Sequence, residues 1–97
     1  MSSTEQPRHW TFLTNHAQVL LCLYDNPTTT QREIANRVGI TERAAQRIVA
    51  DLADGGYIKR ERTGRRNRYV IDKAKLMRHP AQFGYEVGDL LGLLGLH

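Results

Sequence analysis

Disulfides, metal-ligand clusters and long apolar runs are all missing from this sequence. One cysteine, Cys22, in 97 residues cannot form an internal bridge, which fits a reducing, cytoplasmic setting. No apolar run approaches the roughly 20 residues of a membrane helix, and the opening MSSTEQPRHW lacks the basic-then-apolar pattern of a secretion signal. His9, His16, His79 and His97 are widely separated, with no C-x-x-C or H-x-x-x-H pair, so no metal is expected. The only serines, Ser2 and Ser3, lie at the start of the chain, and the C-terminal glycines lack the strand and lysine of a phosphate-binding loop. Neither catalysis nor a cofactor is expected. The length allows one domain with one modest core.

The charge is uneven. The chain carries a net +4, but residues 59–78 hold nine Lys or Arg against Glu61 and Asp72, a local +7. Residues 31–58 sum to zero. A strong local positive field suits an anionic partner, most simply nucleic-acid phosphate.

Residues 31–53, QREIANRVGITERAAQRIVADLA, show helical spacing twice. Ile34, Ala35 and Val38 share one face, Gly39 interrupts, and Ala45, Ile48, Val49 and Leu52 restart the pattern. Gly39 can adopt the positive φ of a sharp helix exit. Thr30 with Glu33 fits a capping box, and Thr41 caps the second helix with Glu42 in its first turn. A helical hairpin in a small core is one reading. The pattern also resembles the helix-turn-helix of transcription regulators, in which a small residue, here Ala35, lies four positions before the turn glycine.

After Asp54-Gly55-Gly56, the segments Tyr57–Arg62 and Arg68–Ile71 alternate β-branched or aromatic residues with charges, around a turn-like tip at residues 63–67. They predict a hairpin that docks Ile58, Tyr69 and Ile71 on the helices and projects its arginines. Helix, helix-turn-helix, G-G-Y-I and basic hairpin, in that order over Trp10–Ile71, resemble the winged-helix fold of the broad MarR and ArsR type. The fold class expected is mainly α with a small β-hairpin (α+β), a winged helix-turn-helix plus a C-terminal helix. The metal clusters of ArsR-type proteins have no counterpart here.

This resemblance implies a double-stranded DNA-binding regulator. Thr41, Glu42, Arg43, Gln46 and Arg47 lie outward on the second motif helix and are the expected base readers. Arg43 and Arg47 suit guanine and Gln46 suits adenine, while Glu42 either accepts from cytosine or supports Arg43 or Arg47. Thr29, Thr30, Gln31 and Arg32 at a helix start are phosphate candidates. Lys59 and Arg62 are placed on phosphates, and Arg65, Arg66 and Arg68, with Asn67 beside them, along the minor groove. The same fold also serves as a protein-interaction or scaffold module, and RNA or structured DNA is a further possible target.

The flanking segments suggest assembly. Residues 1–9 read as a disordered tail, and residues 10–78 as the DNA-binding domain. A helix over Trp10–Tyr24 has apolar residues over roughly 200° of its circumference, more than one packing partner needs. His16 lies in that arc, a core or interface histidine, and Cys22 reads as half-buried and unreactive. Thr28-Thr29 is a candidate β-bridge. A last helix is expected from His79-Pro80 to about Leu94 within residues 79–97. It aligns Phe83, Val87, Leu90, Leu91 and Leu94, with Gly84, Gly88, Gly92 and Gly95 along an edge where another backbone packs closely. Together with Trp10, Leu13, Ala17 and Leu20, that stripe is the expected homodimer interface. No polar cluster marks an effector pocket.

Overall fold

Thr14, Thr30 and Thr41 each accept a hydrogen bond from the backbone N–H three residues on, and each opens a helix. The structure is a computed structural model that describes residues 11–95. Its helices are α1 (Asn15–Asp25), α2 (Gln31–Val38) and α3 (Glu42–Asp54), followed by strands β1 (Ile58–Thr63) and β2 (Arg66–Ile71) and by α4 (Val87–Leu94). This is an α+β winged helix-turn-helix with a C-terminal helix.

At the start of α2 the capping box is complete: Glu33 N–H donates to Thr30 Oγ1, and Thr30 N–H donates to Glu33 Oε1 at 2.9 Å. The turn into α3 is made by Gly39 at φ 84°, with the N–H groups of Gly39 and Ile40 converging on the carbonyl of Ala35. Ala35 is buried there, where a larger side chain would hold α2 and α3 apart.

Val19 and Leu23 of α1, Ile34 of α2 and Leu91 of α4 are the largest fully buried side chains. Ala45, Ile48, Val49 and Leu52 complete the core from α3. Burying side chains of this size stabilises by about 1.5–3 kcal/mol each.

The hairpin is antiparallel and runs from Ile58 opposite Ile71 to Thr63 opposite Arg66. Its loop is therefore only Gly64-Arg65, tighter than the five-residue tip read from sequence. Gly64 has φ 61° and Arg65 no positive φ, the pattern of a two-residue II′ turn, whose twist matches the strands. Ile58 and Tyr69 are buried against the helices. Tyr69 N–H also donates to Pro27 O at 2.9 Å, so the wing is tied to the α1–α2 loop. No bridge forms at Thr28-Thr29, the candidate for one; the neighbouring Pro27 carbonyl takes the bond from the wing instead.

Both flanking helices are shorter than the periodicity predicts. Thr14 caps α1 at Asn15, so Phe12 and Leu13 precede it, while Trp10 and the tail expected over residues 1–9 lie outside the described residues. The expected helix from His79 breaks up: His79 caps a single 3-10 turn, Pro80–Gln82, and Gly84 at φ 89° ends it. A new start follows, where Asp89 accepts from Glu86 N–H at 3.0 Å.

The C-terminal segment is sewn to the domain by Val87 N–H to Lys75 O, Gly88 N–H to Lys73 O and an isolated bridge between Leu76 and Glu86. The glycine edge meets its own chain. A Cβ at Gly88 would lie 2.8 Å from the Lys73 carbonyl, and one at Gly95 would collide with the Tyr24 ring, but Gly92 faces open space. Gly84 is not in the helix.

Candidate nucleic-acid interface

One face of α3 is filled by core residues, so the opposite face is exposed at Glu42, Arg43, Gln46, Arg47 and Ala50. Thr41 is exposed too, but its hydroxyl already accepts Ala44 N–H at 3.0 Å. Glu42 is held by a residue outside its helix: Arg32 of α2 places Nε 3.3 Å from Glu42 Oε2. The sequence alone offers Glu42 three partners, cytosine, Arg43 or Arg47. The short α2–α3 turn instead brings Arg32 within reach. Among the described residues, Arg43 and Arg47 form no ion pair.

Strand alternation sorts the wing into two faces. Ile58, Arg60 and Arg62 of β1 stand opposite Ile71, Tyr69 and Asn67 of β2 on the face that docks. Lys59 stands opposite Val70, and Glu61 opposite Arg68, on the outer face. Arg62 donates to the carbonyl of Gly64 at 3.3 Å, stiffening the loop. Arg66 reaches back to the carbonyl of Thr28 at 3.3 Å and joins the wing to the loop before α2.

These elements enclose a cleft of about 390 Å³ between the start of α2, Gln46 of α3 and the wing. Thr30, Gln31, Arg65, Arg66 and Asn67 from the sequence-derived set meet there, together with Arg60. Arg60 is the residue that sequence reading missed. A signal was present, since counting by two from the inward Ile58 leads to Arg60 before Arg62. Arg32 is turned toward Glu42, and Lys59 and Arg68 lie on the wing's other face.

Glu33 sits behind this cleft with its carboxyl held below the usual range. The bond from Thr30 N–H is the main cause, aided by the hydroxyl of Thr29 at 3.0 Å and more weakly by the charge of Arg66. The capping carboxylate thus stays ionised, and the α2 N-terminus keeps its two remaining first-turn N–H groups, on Gln31 and Arg32.

A second cavity, of about 590 Å³, lies between α1, the end of α3 and the C-terminal segment, among Leu20, Leu52, Met77 and Leu90. His16 is on its rim. The histidine is exposed and so does not belong to the core, one of the two places its position in the apolar arc suggested; Asp51 of α3 holds its Nε2 at 2.8 Å. Cys22 is more buried than expected, and burial pushes its thiol pKa up, which suits an inert packing residue.

Of the residues assigned to an interface between copies, Leu20, Val87 and Leu91 are buried in the chain's own core. Leu13, Ala17 and Leu90 are half-buried, and Phe83 and Leu94 are exposed. Phe83 falls before α4 and so does not extend its stripe.

Among the described residues, no group of three or more His, Cys, Asp or Glu could hold a metal ion, and no helix is long and apolar enough to cross a membrane. Compared with the profiles of known families, residues 11–68 match the MarR family. No curated protein matches the chain.

Proposed function

This chain belongs to the MarR family of winged-helix, DNA-binding regulators, and we propose that it reads a specific double-stranded sequence as a homodimer. Its role is regulation through DNA rather than catalysis. The observation that carries the reading is the meeting of two surfaces: the outward row Arg43, Gln46 and Arg47 on α3, and beside it a cleft with three arginines and no carboxylate in its lining.

In the proposed complex α3 enters the major groove with its N-terminal half toward the bases, as recognition helices do. Arg43 and Arg47 bond guanine bidentately and Gln46 bonds adenine, with Thr41 at the edge of the contact. The wing lies along the minor groove and backbone through Arg65, Arg66 and Asn67. Lys59, Arg62 and Arg68 add charge from the strands, and Thr30, Gln31 and Arg32 approach phosphates at the start of α2. Because the helix-turn-helix is neutral, the wing supplies most of the electrostatic affinity and hence most of its salt dependence.

A second copy would place two α3 helices about 34 Å apart on an inverted repeat. Of the residues assigned to that contact, Phe83 and Leu94 are exposed, Leu13 is half-buried, and Ala17 and Leu90 line the α1–C-terminal cavity.

Retention of the protein on duplex DNA, on RNA and on an unrelated acidic protein, compared across a salt series, tests the reading. Preferential retention on duplex, with a steep salt slope, is expected. Equal retention on RNA, or retention on the acidic protein alone, contradicts it.

A further inference from the structure

The three arginines of the cleft are held in different ways. Arg65 belongs to the two-residue loop, and Arg66 is already bonded to Thr28. Arg60 stands within β1, opposite Tyr69. Tyr69 is buried, and its N–H is fixed to Pro27, so the strand beneath Arg60 is anchored to the helical body. Among the described residues Arg60 has no hydrogen-bond or ion-pair partner. Around it the lining offers the side-chain amides of Gln31, Gln46 and Asn67 and no carboxylate, while the Thr28 hydroxyl is already donated to Asn26. A rigidly based guanidinium facing such donors matches an anion with two acceptor oxygens, which it can bond bidentately.

The location narrows the anion. A helix in the major groove and a wing on the neighbouring minor groove must straddle the one sugar–phosphate strand that separates those grooves. The cleft is the space between α3 and the wing, through which that strand would pass. We infer that this cleft grips one phosphodiester of the separating strand and that Arg60 is its principal cation, an inference that rests on the DNA-binding reading above. Arg60 then fixes the register of α3 on the duplex without reading a base. Its contribution is the same on every sequence.

The test uses a duplex selected for binding from random sequence, with single methylphosphonates each removing one backbone charge. Wild type, Arg60→Gln, Arg60→Lys and Lys73→Gln are titrated against the set and against salt. Lys73 is a matched charge away from the cleft, with its Nζ 5.6 Å from the centre of the Tyr24 ring. Arg60→Gln should lower the slope of log K against log salt by about 0.9. It should also become indifferent to one neutralised phosphate that weakens wild type. Arg60→Lys should keep the slope, and Lys73→Gln should keep both slope and sensitivity. Thermal melting checks that the exposed Arg60 is replaced without loss of fold.

An Arg60→Gln protein with the wild-type slope and the wild-type sensitivity at every phosphate would overturn the inference and leave the DNA reading standing. Failure of wild type to enrich any duplex would remove that reading, and the inference with it.

Discussion

Arg32, in the first turn of α2, holds Glu42 in the first turn of α3, with Nε 3.3 Å from the carboxylate. The side chains are 78% and 60% exposed, so the pair contributes only about 0–1 kcal/mol to stability. In the proposed complex its larger effect is electrostatic, because it neutralises a cation at the start of α2 that would otherwise be free for a phosphate. Glu42→Gln should therefore leave thermal stability nearly unchanged and tighten binding to duplexes of any sequence. If the freed Arg32 takes a phosphate, the salt slope should steepen by about 0.9. Titrations on cognate and random duplexes check this. A loss confined to one base pair would show that Glu42 reads cytosine instead.

Arg47 is exposed on the outward row of α3 and has no ion-pair partner among the described residues. Arg47→Ala should cost about 1–3 kcal/mol on the cognate site and relax the preference at one base pair. Binding to random duplex should change much less. Equal losses on both would make Arg47 a backbone contact.

The capping carboxylate predicts an acid dependence. Bonds from Thr30 N–H and the Thr29 hydroxyl hold the Glu33 pKa below its unfolded value of about 4.5. The folded state therefore binds a proton less readily than the unfolded one. The resulting stabilisation is fully present above that unfolded value and is lost as pH falls through the lowered folded one. Glutamine keeps the shape of a capping box but does not titrate. Glu33→Gln should thus melt below wild type at neutral pH, and the gap should close in acid. A gap independent of pH would mean that the carboxylate's charge contributes nothing.

Assembly can be tested at Leu94, an exposed residue of α4. Leu94→Asp should convert a two-chain species to a single chain in sedimentation equilibrium without lowering the helix content. A wild type that sediments as one chain at all concentrations would rule out the homodimer.

Most of the central region was legible in the sequence because its signals are local. Thr30 and Glu33 lie three residues apart, Gly39 marks the turn, and the alternation around Ile58 and Tyr69 describes a hairpin without any distant partner. Errors arose where distant contacts or competing caps decide the outcome. Phe12 and Leu13 continue the apolar pattern of α1, yet the Thr14 hydroxyl starts the helix after them. Phe83 and Gly84 fit a helical wheel, but the positive φ of Gly84 and the Asp89 bond to Glu86 N–H move the start of α4. His16 could not be placed because Asp51 lies 35 residues away. Arg60 is not distinguished by the summed charge of the wing; only the register opposite Tyr69 separates its face from that of Lys59 and Arg68.

In the proposed complex the outward row of α3 reads duplex DNA by sequence. Selection of bound fragments from random duplex DNA, repeated with Arg43→Ala and Arg47→Ala, tests it most directly. Wild type should enrich an inverted repeat with half-sites about one helical turn apart, and each variant should lose preference at a different symmetric pair of positions. Failure of wild type to enrich any sequence, or enrichment of the same site with the same preferences by all three proteins, would contradict it.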